Sequence, residues 1–189
     1  MRAEKRCIHL PMEADSGRKW ALLVDTKLEH GRHIVQLSSL VKFINHMDMP
    51  IVVLAENPMD GTKLSTCGTA KPDGTPLYVP LPLLYSATGE FYFQPDGDTH
   101  DRSNESISWH AFEHHKRHPV RCDLASDTTK GLYLDLMVEE ERVLGEKGKA
   151  TVESAFTVHI FPPLYLRNLL PVTVELSKPV GFQKTIDSN

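Results

Sequence analysis

The stretch Val35-Gln-Leu-Ser-Ser-Leu-Val-Lys-Phe-Ile-Asn45, followed by Pro50-Ile-Val-Val53, decides how this chain is read. It has a second copy, Val158-His-Ile-Phe-Pro-Pro-Leu-Tyr-Leu-Arg-Asn168, followed by Pro171-Val-Thr-Val174. Matched positions lie 123 residues apart throughout: Val35 and Val158, Leu37 and Ile160, Val41 and Leu164, Phe43 and Leu166, Asn45 and Asn168. Only the gap from asparagine to proline differs, the first copy having two extra residues. A self-match at a fixed offset is the mark of a repeated structural unit.

Outward from these segments the dominant period is two. Trp20, Leu22 and Val24 alternate with Ala21, Leu23 and Asp25, and Phe91 and Phe93 flank Tyr92. Leu132, Leu134 and Leu136 alternate with Tyr133 and Asp135, and Phe156, Val158 and Ile160 with Thr157 and His159. Alternation of this kind reads as half-buried strands. Turn signals separate them: Asp15-Ser-Gly17, His30-Gly31, Asp60-Gly61, Pro72-Asp-Gly74, Pro95-Asp-Gly97 and Gly145-Glu-Lys-Gly148. No long stretch keeps a helical stripe; Ser108 to Arg117 fits one helical turn or, through Ile107, Trp109 and Ala111, a strand. The expected fold is all-β, an antiparallel β-sandwich repeat, with one nearly complete unit and the start of a second. Residues 1–19 form an N-terminal strand or extension, 20–150 the first repeat, and 151–189 the beginning of the next. A second copy this short implies a piece of a longer protein, or tail strands that close the first unit's sheet, since an open sandwich would expose an unpaired edge.

Composition narrows the function. A net charge of -4 and a pI near 6.2 give no basic footprint for nucleic acid. Cys7, Cys67 and Cys122 are odd in number and far apart, which argues against a disulfide framework or zinc ribbon and fits a reducing compartment. The longest apolar stretches, Met49 to Ala55 and Leu77 to Tyr85, fall short of the roughly 18–20 residues of a membrane span. The expected location is therefore cytoplasmic, with any membrane role peripheral.

Few residues carry a chemical pattern. His110-Ala-Phe-Glu113-His114 spells an inverted zinc-protease motif, in which two histidines one turn apart on a helix hold zinc and Glu113 acts as general base. The motif needs a stable helix and a third ligand, whereas Pro119 follows closely and His114 to His118 reads as a solvated polar edge or loop. A zinc hydrolase using His110, Glu113 and His114 is thus the rival to a non-enzyme, which needs no cofactor. Cys122 reads as a buried strand cysteine, Cys67 as a free cysteine in a polar loop, and Glu139-Glu-Glu141 as a solvated turn. That leaves Asn45 and Asn168. Asparagine is a poor strand residue, yet each copy places it after two apolar strand positions. With two donors and an acceptor it can pin the adjacent loop's backbone. Pro50 and Pro171 then start the next strand without needing a ladder donor.

Phe161-Pro-Pro-Leu-Tyr-Leu-Arg-Asn-Leu-Leu-Pro-Val-Thr-Val-Glu-Leu176 resembles a recurring signature of the vacuolar protein sorting-associated protein thirteen family, in its adaptor-binding region of all-β repeats. Asn45, Pro50, Asn168 and Pro171 fall on the motif positions. Gly31 to His46 looks like the opening of such a repeat, and Tyr78-Val-Pro-Leu-Pro-Leu-Leu84 like the family's proline-bearing strand. The resemblance implies a non-catalytic interaction module of a bridge-like lipid-transfer protein. Its partners would be adaptor proteins with short proline-containing motifs, which select the organelle membrane or contact site, serving vacuolar targeting and Golgi retention. Membrane association would be indirect, through adaptors or the rest of a larger protein. Strand addition to an open sheet edge is the physics such docking would use. A ligand-free spacer is the further alternative.

Overall fold

The computed structural model describes residues 4–11, 19–145, 152–164, 172–177 and 183–186. The chain opens with β1 (Glu4–Pro11), β2 (Lys19–Glu29), β3 (Arg32–Ser38), β4 (Val41–Asn45), β5 (Ile51–Asn57) and β6 (Asp60–Ala70). A two-residue β7 (Leu77–Tyr78) and a single helical turn, α1 (Leu81–Leu84), lead to β8 (Glu90–Pro95), β9 (His100–Ser103) and β10 (Ile107–Ser108). A 3-10 turn at Trp109–Ala111 precedes β11 (Arg117–Leu124), β12 (Asp127–Leu144) and β13 (Val152–Phe161). Finally β14 (Val174–Ser177) and β15 (Gln183–Ile186) pair with each other.

Among the described residues the larger sheet runs β3-β2-β1-β12-β13-β4-β7, with β11 on the other half of β12 and β9 beyond it. The smaller sheet runs β10-β8-β5-β6. The fold is all-β and sandwich-like, as the period-two reading expects. Alternation explains which side chains meet. Val41 and Phe43 of β4, Ile51 and Val53 of β5, Phe91 and Phe93 of β8, Leu134, Leu136 and Val138 of β12, and Val158 and Ile160 of β13 are fully or almost fully buried. Phe43 presents its edge to Phe91 at 5.2 Å and to Phe93 at 5.6 Å, joining the two sheets. T-shaped pairs of this kind add to the stabilisation from burial alone.

Two pairings give the larger sheet its shape. β12, 18 residues long, takes β11 along its first half and β13 along its second. β13 in turn carries β4 on its other edge, in parallel, from Phe156 opposite Val41 to Ile160 opposite Asn45. So β13, which the sequence assigns to residues 151–189, is an interior strand of the same sheet.

Four local expectations need correction. Tyr78 to Leu84 is not a strand beyond Tyr78: Pro80 caps α1 and Pro82 lies in its first turn, where the missing N–H costs nothing. Cys67 is not in a loop but in β6, buried, at the register shift where the hairpin with β5 passes from Gly68 to Thr66. Glu139 to Glu141 is no turn but the continuation of β12, paired with β13. Each of these glutamates finds a partner: Glu141 meets the Lys5 ammonium at 2.8 Å, Glu139 meets His159, and Glu140 meets Ser154. The turn assigned to Asp60-Gly61 falls two residues earlier, at Pro58-Met59, held by Asn57 Oδ1 accepting from Met59 N at 2.8 Å. Asp15 to Gly17 and most of Gly145 to Gly148 lie outside the described residues.

Candidate functional site

Val41 and Phe43 point into the core, so parity sends Asn45 inward as well, at the end of β4. It is 1% exposed. Its amide nitrogen donates to the carbonyls of Met49 and Ala70, both at 2.8 Å, and its oxygen accepts from the Met47 amide at 2.8 Å. Both amide protons and the acceptor are thus engaged with backbone that the sheet ladder leaves over. One side chain ties the end of β4, the 46–50 loop and the end of β6. Pro50 follows and opens the approach to β5; its carbonyl accepts from Asp96 N at 3.0 Å. Asn168 and Pro171, the matching residues of the second copy, lie outside the described residues.

Beside Asn45 opens a cleft of about 590 Å³, lined by Asn45, His46, Pro72, Asp73, Gly74, Phe161 and Pro162. Its wall is the pair His46 and Phe161, stacked almost parallel at 7° with centroids 4.4 Å apart. The His46 amide donates to Ile160 O at 2.9 Å, fixing this wall to the sheet. Gly74, at φ +75°, closes the turn at Pro72-Asp73, where Asp73 accepts from Thr75 N at 2.8 Å. That bond holds the Asp73 carboxyl below the usual carboxylate range.

A chain of side chains backs the wall. His46 Nε2 lies 2.9 Å from His159 Nδ1, and His159 Nε2 lies 3.1 Å from Glu139 Oε2. The carboxylate can only accept, so His159 donates from Nε2; when its ring is neutral, its Nδ1 accepts from His46 Nε2–H. Burial, and next the neighbouring His159 ring, hold His46 below the ordinary histidine range.

The inverted zinc motif does not assemble. His110 belongs to a 3-10 turn and its ring lies tilted at 33° against Trp109, with centroids 4.3 Å apart. Glu113 pairs with Lys116 at 2.6 Å, and His114 Nδ1 accepts from Glu140 N at 2.9 Å. The three side chains have separate engagements and share no helical face. Among the described residues no group of three or more His, Cys, Asp or Glu gathers as a metal site. Burial pushes the Cys67 and Cys122 thiols up to about 12, leaving them protonated at neutral pH, unsuited to attack.

Of the cleft residues, sequence reading singled out Asn45 alone. His46 directly follows it, Phe161 and Pro162 stand inside the second copy, and Pro72 to Gly74 was marked as a turn. What sequence could not supply was the parallel β4–β13 pairing that brings these segments together.

A pinned strand end and an open cleft with an aromatic wall sit in an all-β sandwich, and the match to an adaptor-binding family supports reading that sandwich as a protein-interaction module. The chain belongs to the family described as vacuolar-sorting associated protein 13, adaptor binding domain, which matches residues 3–178. Among curated proteins it is similar to the intermembrane lipid transfer protein VPS13C of Mus musculus, 29% identical over 163 residues, and to that of Homo sapiens, 26% identical over 162 residues. Each alignment covers 82% of this chain and 4% of the relative, so the chain spans only a small part of the length of these relatives. No helix among the described residues is long and apolar enough to cross a membrane.

Proposed function

We propose that this chain is a non-catalytic docking module that captures short proline-containing adaptor peptides, with the cleft beside Asn45 as their seat. The observation that carries this reading is the wall formed by His46 and Phe161 in an open cleft that Asn45 and Pro72 also line. Proline-bearing peptides prefer extended conformations and dock on flat aromatic surfaces, because their rings bury apolar area without losing much freedom. Asn45 lines the seat and, with Pro50, holds it in place. Asn168 and Pro171 would do the same for a second unit beginning near residue 151, whose first strand, β13, completes the sheet of the unit formed by residues 20–150.

In this reading the chain is the recruitment part of a larger bridge-like lipid-transfer protein. It would work in the cytoplasm, peripheral to organelle membranes and their contact sites, and reach them through adaptors. The relatives' name, intermembrane lipid transfer protein, accords with that role. The test is a titration of a fluorescent proline-motif peptide monitored by anisotropy. Saturable binding that weakens at least tenfold in Phe161→Ala, with the fold intact by circular dichroism, is expected. Absence of saturable binding to the folded chain would favour a ligand-free spacer, and binding indifferent to Phe161→Ala would move the seat elsewhere.

A further inference from the structure

The hairpin β2–β3 and the hairpin β12–β13 are built alike but end up in opposite surroundings. In the first, Val35 lies opposite Thr26 and Leu37 opposite Val24. In the second, the matching Val158 lies opposite Val138 and Ile160 opposite Leu136. Val158, Ile160, Val138 and Leu136 are all 0% exposed, within the core shared with Ile51, Val53, Phe91 and Phe93. Val35 is 58% exposed, Leu37 61%, and Leu28 on the same face 58%.

The edges differ in the same way. β13 carries β4 on the side away from β12, whereas β3 ends the sheet and has no partner beyond it among the described residues. On β13 that edge is used through Phe156 N, which donates to Leu40 O at 2.7 Å, and Ile160 O, which accepts from His46 N at 2.9 Å. The matching groups on β3 are His33 N and Leu37 O. Hairpin geometry aims them outward: the pair Glu29–Arg32 closes the two-residue turn at His30-Gly31, and hydrogen-bonded pairs then alternate, leaving the N–H and C=O of His33, Val35 and Leu37 facing the free edge. A long edge strand with an apolar face and outward-facing backbone groups is a template for pairing.

We propose that the free edge and apolar face of β3 are a docking site for another unit of the same repeat, delivering a parallel strand of the β4 type, Val-x-Phe-x-Asn. The register follows from β13: the valine opposite His33, the phenylalanine opposite Val35 and the asparagine opposite Leu37. The β5-type strand after it would draw Val35 and Leu37 into a core of the kind that Val158 and Ile160 share with β5 and β8. The chain's own β4 cannot serve, because β13 and β7 occupy its two edges. This site is separate from the adaptor cleft and does not depend on it.

The probe is a fluorescent peptide of residues Ser38 to Met49, titrated onto the full chain. Saturable binding is expected, with slowed amide exchange at residues 33–37. The double variant Val35→Lys/Leu37→Lys should lose at least tenfold in affinity while keeping its melting temperature, since both side chains are exposed. Register is read by cross-linking: a Val35→Cys protein should form a disulfide with a peptide carrying cysteine in place of Phe43, and not with one carrying it in place of Leu40. No saturable binding at millimolar peptide would overturn the proposal. So would equal binding by the lysine variant, which would mean the peptide had displaced native β4, or equal binding by a scrambled peptide, which would mean simple apolar adhesion. Phe161→Ala should leave this binding unchanged, so its failure and that of the adaptor reading are told apart.

Discussion

β3 and β13 carry matching apolar residues at matching offsets, yet Val158 and Ile160 are core while Val35 and Leu37 face water. Both form strands, because alternation and β-branched residues favour extended backbone wherever a hairpin partner is available. What separates them is what arrives later. β13 receives β4 on its edge, and its Val158 and Ile160 lie in the core shared with β5 and β8; among the described residues β3 has no strand on its outer edge, and its Val35 and Leu37 lie outside that core. A local pattern thus specifies a conformation, and tertiary neighbours decide whether that conformation buries anything.

The sharpest way to break this contrast is to truncate the buried copy. Ile160→Ala should destabilise by about 2–5 kcal/mol, measured by urea denaturation, because the surrounding strands can close the cavity only in part. For a domain with a total stability of about 5–15 kcal/mol that is a large fraction. A loss below about 1 kcal/mol would mean that β13 is not packed as an interior strand. Asn45→Ala comes next, at about 1–3 kcal/mol, since it strands the Met47 amide and the carbonyls of Met49 and Ala70 in a buried site. An unchanged denaturation midpoint would remove the pin from the account of how β4, β5 and β6 are held.

How much of this was legible in sequence depends on the range of the interaction. Strands such as β4, β8, β12 and β13 announce themselves by alternation, and the His30-Gly31 turn by its glycine. Asn45 stood out as a polar residue where parity demanded an apolar one. β6 was harder, because Thr66, Cys67, Gly68 and Thr69 hide its alternation and Gly68, at φ +147° beside a register shift, breaks its period. The prolines at 80 and 82 pointed to extended chain on the strength of a resemblance, while helix-start chemistry allowed the opposite. The cleft was out of reach for a different reason. His46 and Phe161 meet only because β4 pairs in parallel with a strand more than a hundred residues later, and no local pattern encodes such a pairing.

The His46 environment gives a smaller effect, visible in pH. Burial holds His46 and His118 below their unfolded value of 6.5, so the folded state binds fewer protons than the unfolded one. Their contribution is intact above about pH 6.5 and is lost as pH falls through that value towards the folded ones. The melting temperature should therefore drop between pH 7.5 and 5. The slope should be shallower in His46→Gln, which keeps only the His118 part. An identical slope in the variant would show that His46 titrates as freely as in the unfolded chain.

The smallest effect belongs to the exposed copy. Leu37→Ala should change stability by no more than about 0.5 kcal/mol, because its side chain already sits mostly in water and leaves no cavity behind. Its near neighbour is Val24 across the hairpin, a contact worth a few tenths at such an edge. Set beside Ile160→Ala, the two substitutions differ little in chemistry and occupy matched positions, so the gap between them isolates the covering sheet and the β4 strand. Were Leu37→Ala to cost as much as Ile160→Ala, β3 would already be covered in the isolated chain, and its edge would have nothing left to offer a second unit.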